Sequence, residues 1–387
     1  MPPSIRQSPS LTELFASFLR LGATAFGGPA MIAYIQKLAV TKKGWLTPED
    51  FKNGVALCQT IPGATAMQCA AYVGWRTRGL LGAIAAFTGF GLPAFLVMVG
   101  LAIVYRRAAG LPDSAAALTG LRVIVVTLVA NATWTFGRSW VKDWREALLV
   151  FLAAVFFLSG ISPFACLLGA GVAGGVFFRD RKNESAGPVV SDDRSSWSPL
   201  LLLVAAAVFL VIFLAWDRKL ATIALIMMKV DAFAFGGGFA ALPLMLHEAV
   251  GVHGWLSSSA IMDGIALGQV TPGPIVITAT FIGYQAAGAA GAVAATVGIF
   301  LPSLFIVTFV EPYFRRLQSS PTFRGVTRGL TLSFVGLLIS VTIHFAQAAP
   351  WSIRSGIIAA LAMAALLCKV DLLWVVLAGA VVSVILL

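Results

Sequence analysis

The chain has 387 residues, 59% of them apolar and only 11% charged, with a net charge of +11. That composition excludes a soluble domain with a wet surface, and basic residues scattered singly between apolar runs exclude a nucleic-acid surface. What remains is an all-α polytopic membrane protein, because the runs are rich in Leu, Ala, Val and Phe and lack the period-2 alternation of a membrane strand.

In chain order, the N-terminus MPPSIRQSPSLTELFASFLRLG lacks a small-residue cleavage site and reads as a retained cytoplasmic end. Apolar stretches of bilayer-crossing size follow at 80–104, 122–137, 146–178, 200–216, 289–310, 329–346 and 356–387. Between them lie four interruptions, AFGGPA (Gly27, Gly28, Pro29), TIPGAT (Pro62, Gly63), AFGGGF (Gly236, Gly237, Gly238) and VTPGPI (Pro272, Gly273, Pro274). Proline lacks an amide hydrogen and suits the first turn of a helix, so each interruption predicts a break at mid-membrane depth and the start of a half-helix. Cys58, Cys69, Cys166 and Cys368 form no Cys-x-x-Cys pair, so neither a disulfide framework nor a zinc site is indicated, and no cofactor is expected.

The chain is two copies of one unit. Phe26 falls on Phe235, 209 positions on; Gln59 falls on Gln269 and Pro62-Gly63 on Pro272-Gly273, 210 on; Gly74, Gly79, Gly82, Gly89 and Pro93 return to the 209 spacing. This predicts an N-terminal transmembrane half (1–178), a charged cytoplasmic linker (179–199) and a C-terminal half (200–387). Lys37, Lys42, Lys43 and Lys52 face a counterpart loop, 247–263, that has no Lys or Arg, which favours an inverted repeat. The bias reverses later, where Arg315, Arg316, Arg324 and Arg328 cluster in the second half; Arg106, Arg107 and Arg122 would then be external, which runs against the rule.

Irregular backbone at membrane depth is tolerated where it lines a polar cavity, and freed amides at half-helix N-termini suit an anion. Glycine lets a ligand approach the backbone closely. Gln59 and Gln269, three residues before each proline, can add amide donors. Arg20 and Lys229 occupy matching positions and serve either to attract the anion or to anchor at the interface. Asp231 has no acidic match, since Gly22 stands in its place, and is a candidate for neutralising Lys229 or binding a coupling proton. Gly79, Gly82, Gly288 and Gly291 are assigned to helix packing, and the three histidines to no metal site.

The stretches FGGPAMIAYIQK, QTIPGATAMQ and FGGGFAALPLM, and above all GWLSSSAIMDGIALGQVTPGPIVITATFIGYQ, resemble the paired motifs of the chromate ion transporter (CHR) family. The resemblance covers about 12–110 and 222–330 and implies a bacterial inner-membrane exporter of chromate that confers chromate resistance. Ala64 replaces the last proline of the family's Pro-Gly-Pro in the first half, and AMIAYI lacks the histidine many members carry. A carrier of another anion such as sulfate is the alternative, and a homodimer is left open. An enzyme is not expected, because no nucleophile with its base and no clustered carboxylates are found.

Overall fold

A computed structural model describes residues 9–26, 30–108, 112–178 and 217–387, with the isolated positions 204, 208 and 215. The predicted linker, most of the 200–216 stretch and the residues Gly27, Gly28 and Pro29 lie outside the described residues. The first half comprises α1 (Leu11–Thr24), α2 (Ala30–Gln36, continued by wider turns over Lys37–Lys42), α3 (Pro48–Thr60), α4 (Thr65–Ala108), α5 (Pro112–Trp140), α6 (Trp144–Leu158) and α7 (Pro163–Phe177). The second comprises α8 (Arg218–Ala232), α9 (Ala241–Leu246, with short extensions on both sides), α10 (Ser258–Val270), α11 (Thr278–Val310), α12 (Phe314–Ser319), α13 (Pro321–Ala348), α14 (Ile353–Leu367) and α15 (Leu372–Leu386). Among the described residues no strand occurs.

Among the described residues four segments are long and apolar enough to cross a bilayer, one each in α4, α5, α11 and α13. Both α4 and α11 are kinked where backbone leaves the helix, at Arg78-Gly79 and at Ala287-Gly288, and each therefore falls into a short arm and a long helix. Gly79 and Gly288 have φ of +61° and +63° with no heavy atom near an added Cβ, so these two serve the turn rather than packing. Gly82 and Gly291 do pack, each closing directly on the carbonyl of Gly74 or Gly283 across its own turn.

The 146–178 and 356–387 stretches are not single crossings. Each folds as two 15-residue helices, α6 with α7 and α14 with α15. In the first, Gly160 (φ +88°) turns the chain and Pro163 opens α7; in the second, Lys369 (φ +60°) sits before the cap Asp371.

The predicted breaks at Pro62-Gly63, Gly236-Gly238 and Pro272-Gly273 are the tips of re-entrant hairpins rather than kinks in spanning helices. Lys43 pairs with Glu13 at 2.8 Å and Phe18 stacks on Trp45, so α1 and α2 begin and end on one face. Tyr72 donates to the Asp50 carbonyl at 3.1 Å, so α3 and the 65–77 arm do the same. Thr47 caps α3 by accepting from the Asp50 amide, with Pro48 in the first turn, which fixes where that hairpin enters. The second half repeats the plan from the opposite face: Lys229 meets Glu248, and Lys219 donates to the Ala286 carbonyl at 2.6 Å beside the Ala287-Gly288 turn.

The long helices of α4 and α11 pack antiparallel. Arg76 lies 3.2 Å from Glu311 at one end, Phe87 meets Phe300 edge to face in the middle, and Gln285 reaches the Ala102 carbonyl at the other end. The two homologous halves thus form an inverted repeat, and the described hairpin ends converge between them.

Candidate functional site

The tips meet in two junctions, each joining one half to the other. At the first, the Gly63 amide donates to the Ala234 carbonyl at 3.1 Å; at the second, the Gly273 amide donates to the Ala25 carbonyl at 2.9 Å. Gly63 (φ +117°) and Gly273 (φ +111°) hold backbone angles that other residues rarely adopt. These two amides are therefore engaged by protein carbonyls rather than directed at a ligand, and so is the Ala64 amide, which donates to Ser303 Oγ at 2.9 Å. Each bond removes a peptide group that would cost several kcal/mol if left unpaired in an apolar interior.

The junctions differ in chemistry. At the first, Ser303 donates to Asp231 Oδ1 at 3.0 Å and Gln68 donates through its amide nitrogen to the Pro62 carbonyl. Asp231, Ser303 and Gln68 are all fully buried. At the second, Ala94 stands where the repeat places Ser303, and Gly22 where it places Asp231. Ala94 Cβ lies 2.7 Å from where a Cβ on Gly273 would be, so that junction is apolar and tightly closed.

They differ also in access. Pro62, Thr65, Gly236, Gly237 and Gly238 are partly exposed, whereas Thr271, Pro272, Gly273 and Pro274 are buried. Gly236 and Gly237, with φ of +107° and +88°, carry the chain past the first junction, and the amides of Gly236–Gly238 donate to no acceptor among the described residues. Thr65 Oγ1 lies 3.2 Å from the position of a Cβ on Gly237, and the 65–77 arm begins there with the positive end of its dipole. Phe136 packs against Trp140, Phe239 and Phe334 behind the loop, forming an apolar wall. Free amides, a hydroxyl and a helix N-terminus against such a wall can coordinate an oxyanion.

Other candidates lie further out. Gln59 and Arg20 are exposed, and Arg20 has no acidic partner among the described residues. Lys229 pairs with Glu248 at 2.7 Å and lies 3.7 Å over the Phe164 ring, so it does not neutralise Asp231. Gln269 is partly buried, with its Nε2 unpartnered. Among the described residues no group of His, Cys, Asp and Glu could hold a metal ion.

Sequence reasoning passed over Gln68, Ser303, Thr65 and Glu248. It also passed over Asp263, fully buried and held by Arg122 Nε and Nη2 at 2.8 Å and by Tyr105 at 2.9 Å. The signal for Ser303 was present as a mismatch between otherwise matching halves, the same signal that singled out Asp231.

Comparison with known proteins agrees with the repeat. A family model described as chromate transporter matches residues 12–175 and again 221–384. An uncharacterized transporter of Methanocaldococcus jannaschii is 41% identical over 98% of this chain and 95% of its own length. A chromate transport protein of Cupriavidus metallidurans is 30% identical over 94% of this chain and 90% of its own length, and one of Pseudomonas aeruginosa is 32% identical over 87% and 82%. No solved structure matches. With the family model covering both halves and these relatives aligned along nearly their full length, the chain belongs to the chromate transporter family.

Proposed function

We propose that the protein exports chromate across the bacterial inner membrane as a secondary transporter, and so gives chromate resistance. The observation that carries the reading is the pair of junctions between the two halves, one polar with Pro62, Thr65 and Gly236, Gly237 and Gly238 partly exposed, the other apolar at Ala94 with Thr271, Pro272, Gly273 and Pro274 buried. Alternating access requires a site between two repeats with one side open at a time. The partly exposed Gly236–Gly238 amides and Thr65 are the groups offered to the anion.

The charge distribution supports the outward direction. The antiparallel fold sets Lys37, Lys42, Lys43, Lys52, Arg76, Arg78, Arg316, Arg324 and Arg328 toward one face and fewer basic residues, Arg106, Arg107, Lys219 and Arg354 among them, toward the other. A basic face is the cytoplasmic face. With an interior negative by ~100 mV, each negative charge moving outward gains about 2.3 kcal/mol, twice that for a dianion. Export then needs no ATP.

Radiolabelled chromate flux in proteoliposomes under imposed voltage tests this. Outward movement from the basic face should rise with the potential; flux that ignores voltage would overturn it. Sulfate is the second reading, since it shares the shape and charge that backbone amides recognise, and equal competition by sulfate would favour it.

A further inference from the structure

We propose that Asp231 and Gln68 form a proton-binding site at the first junction, where one proton on Asp231 Oδ2 puts the pocket in the state that admits the anion. Both side chains are fully buried, and each has one oxygen without a partner, Oδ2 and Oε1. Gln68 cannot be turned the other way, because its nitrogen must donate to the Pro62 carbonyl. Ser303 has one hydrogen, already spent on Asp231 Oδ1, and the Ala64 amide is spent on Ser303. The two side chains end in the same small space. Asp231 Oδ2 is 3.3 Å and Gln68 Nε2 2.7 Å from the point where a Cβ on Gly63 would stand.

Asp231 Oδ2 and Gln68 Oε1 are buried acceptors that no hydrogen reaches, and a proton bound on Oδ2 turns that oxygen into a donor. A hard metal cation would call for several more free oxygens than this crowded space provides. Charge around the site does not substitute for the proton. On the same hairpin Lys229 and Glu248 are paired with each other and His247 lies beside them; on the 65–77 arm Cys69 and Tyr72 are the titratable groups and Arg76 is held by Glu311 and Asp50. The long helix of α11 contributes Ser303 there, and among the described residues Asp231 makes no ion pair.

The step balances simply: an O–H bond forms on Oδ2 with a proton from water reaching the partly exposed Pro62–Thr65 segment, and breaks when that proton returns. An ionised carboxylate a few residues from Gly236–Gly238 repels a dianion, and its protonated form does not. The coupling to transport rests on the proposed function; the proton site itself does not.

Infrared spectroscopy of the purified full-length protein, titrated from acid to alkaline pH, reads the site without substrate. The carbonyl stretch of a protonated carboxylic acid should vanish on deprotonation and be missing from Asp231→Asn. In proteoliposomes with a trapped pH dye, chromate flux by the parent should carry a proton signal and fall at least tenfold as the pH rises, while whatever flux Asp231→Asn retains should be flat in pH and silent in the dye. Should Asp231→Asn fail to fold, Ser303→Ala takes its place: losing the bond to Oδ1 should shift the carboxyl band and move the pH profile of flux upward. No such band in the parent, the same band in Asp231→Asn, a shared pH profile, or sodium dependence in place of the proton signal would each overturn the proposal. A parent that moves no chromate would sink the transport reading, and the infrared titration would still decide the proton site.

Discussion

Glycines at the junctions look alike in the sequence but differ in what surrounds them. At Gly273 an added Cβ would press on Ala94 in a sealed junction, while at Gly237 it would meet only Thr65 Oγ1 at 3.2 Å beside the open loop. Both have positive φ, so substitution costs about 1–3 kcal/mol of strain at either. Gly273→Ala should therefore reduce folded yield in detergent, measured by size-exclusion, whereas Gly237→Ala should give folded protein whose chromate flux per molecule falls about tenfold or more. Equal loss of folded protein at both would mean the open loop serves packing alone. Arg20 and Lys229, matched in sequence, separate in the same way. Arg20→Gln should leave folding intact and raise the half-saturating chromate concentration roughly threefold, as expected for removing one exposed charge. Lys229→Gln leaves the buried Glu248 with only His253, 3.6 Å away, among its ion-pair partners in the described residues, and should show first as lost thermal stability. Unchanged chromate dependence in Arg20→Gln would make it an interface anchor.

Among the elements, the 209-residue spacing made the repeat legible, and Gly and Pro clusters marked the breaks at Pro62-Gly63, Gly236-Gly238 and Pro272-Gly273. Re-entry was not legible. A break between two apolar segments reads the same whether the chain continues across or turns back, and only contacts such as Lys43 with Glu13 decide it. Splitting of the 146–178 and 356–387 stretches was missed because Ser159-Gly160 and Cys368-Lys369 are weak interruptions inside long apolar runs. The cross-half clamp of Arg122, Tyr105 and Asp263 was invisible as well, since its members lie far apart in the chain and their repeat mates are not charged. It ties α5 and the end of α4 to α10. Removing one partner of a buried ion pair costs about 3–5 kcal/mol, so Arg122→Leu should lower the thermal midpoint in detergent markedly, and Arg122→Leu with Asp263→Leu should recover most of the loss. A double variant no better than the single one would show that the pair is not an isolated buried clamp.

At the scale of the whole molecule, the inverted repeat places Lys52 on the basic face and Ser258 on the other. In a background carrying Cys368→Ser, which removes the one exposed cysteine among the four, an impermeant thiol reagent applied to intact cells should label Ser258→Cys and spare Lys52→Cys. The opposite pattern would reverse the orientation and with it the direction of transport. The two junction hydrogen bonds bear on how such a molecule is made. When the first half leaves the ribosome, the Gly63 amide and the Ala25 carbonyl have no mates, because Ala234 and Gly273 have not yet been synthesised. A hairpin tip with bare peptide groups is not stable against acyl chains. Its early hairpins must wait in a sheltered, hydrated lateral chamber of the insertion machinery until the second half arrives, so biogenesis ends in one late joint release into lipid rather than helix by helix.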